Sequence, residues 1–143
     1  MRVPDLLLRP QMVLTRPSGA QELSETHRWG NPLDQDMRRV LVDDLGLLLG
    51  SDDVVESPLG ARVAAAYRLE VEVRSLDARP GTGLTLEAVW MVTRPGAAQA
   101  VLVRRATLRE ALPDSGPDAL AAACSRILAD LAREISAQLV KLP

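Results

Sequence analysis

The chain has 143 residues, of which 47% are hydrophobic and 25% charged, and its formal net charge is −2. This length and balance fit one compact domain, residues 1–143, and exclude an intrinsically disordered chain. The acidic net charge and an aromatic content of only 2% argue against a nucleic-acid partner, which would need basic residues and stacking rings. No apolar run is long enough to span a membrane and no secretory leader is recognisable, which predicts a cytoplasmic protein if these 143 residues are the full-length chain. A chain that begins inside a longer precursor would have the same sequence features.

The first predicted element is a hairpin of two short strands. Pro10 lacks an N–H group and therefore belongs at the start of a strand, which predicts a strand at Gln11–Thr15. The residues Pro17, Ser18 and Gly19 are typical of a turn. The chain then returns through "QELSETHRW", and we expect Gln11–Thr15 to pair with Gln21–Thr26.

A helix is predicted over Leu33–Leu49. Asn31 is a suitable N-cap, Pro32 fits the first helical position, and Gly50 provides the stop. The apolar residues recur at helical spacing and predict one buried stripe: Leu33, Met37, Val40, Leu41, Leu45 and Leu48.

The pattern of apolar residues in the second half of the chain predicts an antiparallel meander followed by a helix. After a short strand expected at Val54–Glu56, apolar and polar residues alternate in "YRLEVEVRS", "LTLEAVWMVT" and "AVLVRRATLREAL", with an irregularity expected at Arg104-Arg105. The turn sequences between them are short, which favours antiparallel pairing. The last helix is predicted over Pro117–Leu142, with Leu120, Cys124, Ile127, Leu128, Leu131, Ile135 and Leu139 as its buried stripe. Two such helices can cover one face of a mostly antiparallel sheet, which is an α+β fold.

The sequence contains few side chains of the kinds that catalyse reactions or bind metal ions. Cys124 lies on the buried stripe and His27 is the only histidine, so a nucleophile–base pair, a metal cluster and a phosphate loop are all missing from the pattern. We therefore predict no catalytic, cofactor-binding or metal-binding residue. Glu70, Glu72 and Glu87 are interpreted as residues on the solvent-exposed face of the sheet rather than as the catalytic carboxylates of a glycosidase. Arginines on neighbouring strands are expected to neutralise them across the sheet.

The segment "THRWGNP" is the strongest candidate for a functional or structural corner. It places His27, Arg28 and Trp29 where a strand turns into a helix. Trp29 would either pack on the helix as part of a joint or, with Arg28, anchor a partner, because Trp and Arg dominate protein interfaces. The predicted hairpin would bring Arg9 and Gln11 beside them.

Several segments resemble the ABC-type transport auxiliary lipoprotein family, the PqiC/YmbA-like proteins also described as membrane integrity-associated transporter subunits. The resemblance rests on "RPQ" at 9–11, on "RWGNPL" at 28–33, on Tyr67-Arg68, on Trp90 and on the helical pattern from Leu131 to Ile135. These segments occur in the same order as in the family and extend over nearly the whole chain.

The resemblance implies a non-enzymatic accessory protein of the cell envelope. Such proteins face the periplasm, are anchored in the outer membrane by a lipid on an upstream cysteine, and accompany MCE-type ABC systems that transport lipids or hydrophobic compounds. For this chain the anchor and its signal segment are expected upstream of residue 1, and self-association is left open. Two alternatives remain: a lipid carrier with an apolar groove between sheet and helices, and a small intracellular enzyme that uses the corner at His27.

Overall fold

The computed structural model describes the backbone of residues 11–15 and 21–28 and all atoms of residues 33–50, 54 and 67–142. Five strands and two helices follow one another in the described parts of the chain: β1 (Gln11–Thr15), β2 (Gln21–Arg28), α1 (Leu33–Leu49), β3 (Arg68–Arg79), β4 (Gly83–Thr93), β5 (Ala100–Glu110) and α2 (Pro117–Leu139). The predicted α+β fold is confirmed.

The main sheet is the predicted antiparallel meander, with strand order β3-β4-β5. Tight turns join the strands, and Gly81 and Gly96 adopt positive φ angles of 81° and 78°, which residues with a Cβ rarely adopt. A bulge in β3 between Val73 and Ser75 shifts the register by one residue. As a result Val71 and Val73 face the core before the bulge, whereas Leu76 and Ala78 face it afterwards.

The predicted hairpin is also present, as a separate two-stranded sheet of β1 and β2. Strand β1 lies alongside β3. The hairpin therefore borders the main sheet on the β3 side, and β5 lies at the opposite edge.

Both helices contribute to one continuous core with the main sheet. Helix α1 buries Leu33, Met37, Leu41 and Leu45, and it packs along α2. Helix α2 begins with Pro117 after Gly116 and buries Ile127, Leu131 and Ile135 completely. In β4 the alternating residues Leu84, Leu86, Ala88, Trp90 and Val92 complete the core from the sheet side. Since Leu41 and Leu131 are both buried, the predicted packing of two helices on one face is confirmed.

Some boundaries and placements differ from the expectation. Leu48 is 46% exposed, because the buried residues of α1 repeat strictly every four positions and the stripe drifts towards Leu49. Val54 has no regular structure, and the other residues of the strand expected there lie outside the described part of the chain. Helix α2 ends at Leu139 rather than at the predicted Leu142, and the residues that follow it, up to Leu142, form a turn.

The register of β5 is also simpler than expected. Its pairing with β4 continues without interruption through Arg104 and Arg105, and the irregularity lies instead between Val92 and Thr93 of β4. Within the described ranges, neither helix is long and apolar enough to cross a bilayer.

Candidate interaction surface

The corner predicted from the sequence can be located through the backbone of the hairpin. Gln11 of β1 pairs with Arg28 of β2, so these two residues lie directly opposite each other although 17 positions separate them in the chain. Arg9 and Trp29, the other two residues expected at this corner, lie outside the described residues. The role of the corner in docking or in stability stays a prediction.

The hairpin is irregular next to this pair. Val13 pairs with Leu23, so a single β1 residue, Met12, faces the four β2 residues from Ser24 to His27. Extra residues in one strand bend it and redirect its side chains, and such irregularities recur beside functional sites. His27 therefore belongs to the bulged stretch of β2, immediately before Arg28.

The charged residues of β3 neutralise each other along the strand. Arg68 lies 3.4 Å from Glu70, and Arg74 lies 3.8 Å from Glu72. Arg79 donates a hydrogen bond to Asp77 at 2.9 Å. The expectation of cross-strand partners is therefore wrong for Arg68 and Arg74. Residues two apart on one strand share a face, and this spacing provides the nearest acid.

The arginines of β5 differ from those of β3 because no described acid lies close to them. Arg104, Arg105 and Arg109 are exposed, and none of them has a carboxylate partner in the part of the chain that the structure describes. Arg104 instead donates to the carbonyl oxygen of the adjacent Val103, at 3.0 Å. Val101 and Val103 are 41% and 52% exposed on the same strand. The sequence contains these arginines, but only the distances between charged side chains show that they form no ion pair with a described residue.

The two faces of β5 are defined by its register with β4. Arg104 pairs with the core residue Trp90, so it lies on the face covered by the helices. Arg105 pairs with Val89 and Arg109 with Thr85, and both belong to the face opposite the helices. Unmatched guanidinium groups are therefore found on both faces of one strand.

A further charged cluster joins the end of β5 to α2. Arg126 lies 3.2 Å from Glu110, and Arg133 donates a hydrogen bond to Asp130. The Glu110 carboxyl, when it carries a proton, donates a hydrogen bond to Asp130, and this bond together with the hydrogen bond and charge of Arg133 and the charge of Arg126 lowers the pKa of Asp130. This cluster is fully occupied by its own ion pairs, which indicates a structural role.

The remaining reactive groups do not form a site. Cys124 is buried, as predicted, and burial raises the pKa of its thiol to about 12, so the reactive thiolate is suppressed. Among the described residues no group of three or more His, Cys, Asp or Glu could hold a metal ion. The buried polar atoms Trp90 Nε1 and Glu134 Oε2 have no hydrogen-bond partner among the described residues.

Taken together, the described elements form an α+β domain, with an irregular hairpin on one side of the sheet and a basic, partly apolar strand on the other. The particular family follows from the sequence. Residues 1–136 match the family described as ABC-type transport auxiliary lipoprotein component, and the chain belongs to this family.

Solved structures share the fold. The crystal structure of an uncharacterized protein superposes with a TM-score of 0.81 at 23% identity, over 96% of this chain and 86% of the other. Protein XCC0632 from Xanthomonas campestris, of family DUF330, superposes with a TM-score of 0.73 at 14% identity, over 94% of this chain and 77% of the other. Among curated proteins none matches the chain. At these identities the similarity establishes the fold alone.

Proposed function

We propose that this chain is a non-enzymatic accessory component of an envelope ABC transport system of the MCE type, which moves lipids or other hydrophobic compounds, and that it acts by binding proteins of that system. The observation that carries the proposal is the family match over residues 1–136, whose description names an auxiliary component of ABC-type transport and a lipoprotein. We further propose that the protein faces the periplasm and is held at the outer membrane by an upstream lipid anchor.

The distribution of charged side chains supports a binding role. On β3 and α2 the arginines are matched by acids at short distance, as in Arg79–Asp77 and Arg126–Glu110. On β5 they are exposed, and no acid among the described residues pairs with them. Arginine is enriched at surfaces that bind other proteins, and the exposed valines beside these arginines add apolar area to the same strand.

The hairpin corner is proposed as a second contact region. Arg28 pairs with Gln11 next to the bulged stretch that contains His27, at the hairpin that borders the sheet on the β3 side. Our proposal assigns docking to Arg28 and a stabilising role to Trp29, with Arg9 and Gln11 as supporting residues.

The test uses the precursor with its own upstream segment, expressed in its native envelope together with the transport proteins. Crosslinking followed by purification should recover the MCE-type protein of the system with the wild-type chain. Arg28→Ala should lower this recovery without changing the melting temperature, whereas Trp29→Ala should lower the melting temperature. Lys141→Ala, which removes an exposed charge at the end of α2, is the control and should change neither quantity.

Three results would contradict the proposal. Recovery of no transport protein under conditions that preserve the complex would remove the protein-binding role. Co-purification of stoichiometric lipid with the isolated chain would favour the carrier alternative. A hydrolytic activity that is lost in His27→Ala, with folding intact, would favour the enzyme.

A further inference from the structure

We propose that β5 accepts an extended acidic segment of a partner protein as an additional antiparallel strand. This inference rests on the protein-binding role proposed above, and it adds the strand that is used and the chemistry of the segment that it takes. The geometry, the charge and the alternation of β5 support it independently.

The first argument is the exposed edge. Strand β5 pairs with β4 on one side, and no further strand of the described residues pairs with its other side. It is 11 residues long and contains no proline. The unpaired N–H and C=O groups of such an edge are a template for another strand, and partner peptides commonly bind proteins in this way. Val101 and Val103 offer apolar contact at one end of the edge.

The second argument is charge. The chain as a whole is slightly acidic, with a net charge of −2, yet Arg104, Arg105 and Arg109 are concentrated on this one strand without carboxylate partners in the described region. Opposite charges on directly facing residues of neighbouring strands stabilise the pair. A strand that carries Asp or Glu at the facing positions would therefore supply the partners that the described part of the chain does not.

The third argument distinguishes a strand from a flat anionic surface. Arg104 lies on the helix-covered face of the sheet, whereas Arg105 and Arg109 lie on the other face. Side chains of an added strand alternate between both faces and can reach all three arginines. The expected segment therefore has two adjacent acids opposite Arg104 and Arg105 and apolar residues opposite Val101 and Val103.

A second copy of the chain fits this edge poorly. If two β5 strands paired with each other, each would bring three arginines and one acid, Glu110. That acid is already bound by Arg126. Like charges on facing strands are destabilising, so the charge pattern favours a different, acidic partner.

The experiment uses the full chain and the synthetic peptide Glu-Thr-Val-Thr-Glu-Glu-Val-Thr-Val, with a second peptide in which lysine replaces each glutamate. The acidic peptide should bind, and its affinity should fall with rising salt. Arg104→Glu combined with Arg105→Glu should weaken this binding by at least about tenfold and should favour the lysine peptide. Both residues are exposed, so the variant should fold, which its melting curve checks. Arg68→Glu combined with Arg74→Glu changes the net charge equally and is the matched control.

Strand addition also requires backbone hydrogen bonds. A version of the acidic peptide with N-methyl groups on alternate amides, the set that would face β5, should lose binding, whereas methylation of the other set should be tolerated. Equal binding of both methylated peptides would overturn the inference. Equal binding by the wild type and the Arg104/Arg105 variant would do the same.

Two other occupants are separated by parallel measurements. Arginine-dependent binding to phosphatidylglycerol vesicles without peptide binding would replace the strand with a membrane surface. A dimer in sedimentation that dissociates in the Arg104/Arg105 variant would replace it with a second copy. If the peptide binds but no transport protein is recovered from the envelope, the proposed function fails and the edge site stands. If recovery is normal without peptide binding, only the edge site fails.

Discussion

Arg126 of α2 reaches the end of β5, where its Nε lies 3.2 Å from Glu110 Oε2 and its Nη2 donates to the carbonyl oxygen of Ala111 at 3.0 Å. This side chain therefore connects the last helix to the edge strand through two contacts that are distant in sequence. It fixes the segment that leads from β5 into α2.

Removal of this connection should cost a modest amount of stability. Arg126→Ala should lower the free energy of unfolding by about 1 kcal/mol, because the pair is partly exposed but combines an ion pair with a backbone hydrogen bond. Arg39→Ala removes an exposed pair with Asp36 within one helix turn and should cost less than about 0.5 kcal/mol. Urea titration of both variants measures the difference, and equal costs would contradict the connecting role.

Acid should weaken the same region through Asp130. The pKa of this group lies below its ordinary value of 3.8 in the folded chain, chiefly because of its hydrogen bond with Glu110 and the neighbouring Arg133. Its stabilising contribution is therefore fully present above about pH 3.8 and is lost as the pH falls from there through the lowered pKa. Asp130→Asn should reduce stability at pH 7 and flatten the decline of stability below pH 4. An acid titration of unfolding free energy that is unchanged in this variant would contradict the assignment.

Much of the fold follows from periodicity. The two helices begin at the predicted residues, Leu33 and Pro117, and the alternation in β4 predicts the buried side, because a strand in the middle of a meander must bury one face continuously. The strand β3 runs beyond its predicted end at Ser75 because the bulge exchanges the buried and exposed positions. A one-residue irregularity of this kind cancels a period-two pattern, and the local sequence does not reveal it.

The candidate site was predictable only in part. The sequence indicates the hairpin, and the pairing of Gln11 with Arg28 follows from the hairpin once its bulge is known. The sequence pattern does not show that the arginines of β5 lack a described acidic partner. Charges recur on both β3 and β5, and whether Arg68 or Arg105 has a partner depends on side-chain geometry at a distance of a few ångströms. Leu48 shows the same limit, since its exposure depends on how the stripe of α1 drifts against α2.

Cys124 should behave as an inert core residue. Its thiol is buried in α2 and has a pKa of about 12, so reaction with a thiol reagent should occur only when the chain unfolds. Cys124→Ala should cost on the order of 1–2 kcal/mol and leave partner binding intact. Labelling rates measured across a urea series should follow the unfolded fraction. Rapid labelling of the folded protein in the absence of urea would contradict the burial.

Trp90 has two opposing effects on the stability of the fold: its ring fills the core, and its indole N–H is buried. Two substitutions at this position can separate them. Its side chain is fully buried at the centre of the sheet, while its Nε1 finds no acceptor in the part of the chain that the structure describes. Trp90→Ala should cost roughly 3–5 kcal/mol, because it leaves a large cavity. Trp90→Phe keeps most of the ring contacts and removes a buried donor whose lack of a partner costs about 1–3 kcal/mol, so the net loss should be much smaller. Val92→Ala, at the next buried position of the same strand, controls for the response of this part of the core to a small cavity. Unfolding free energies from urea titration should rank Trp90→Ala well below Trp90→Phe. A phenylalanine variant as unstable as the alanine variant would mean that the indole N–H is satisfied in solution, for instance by a buried water.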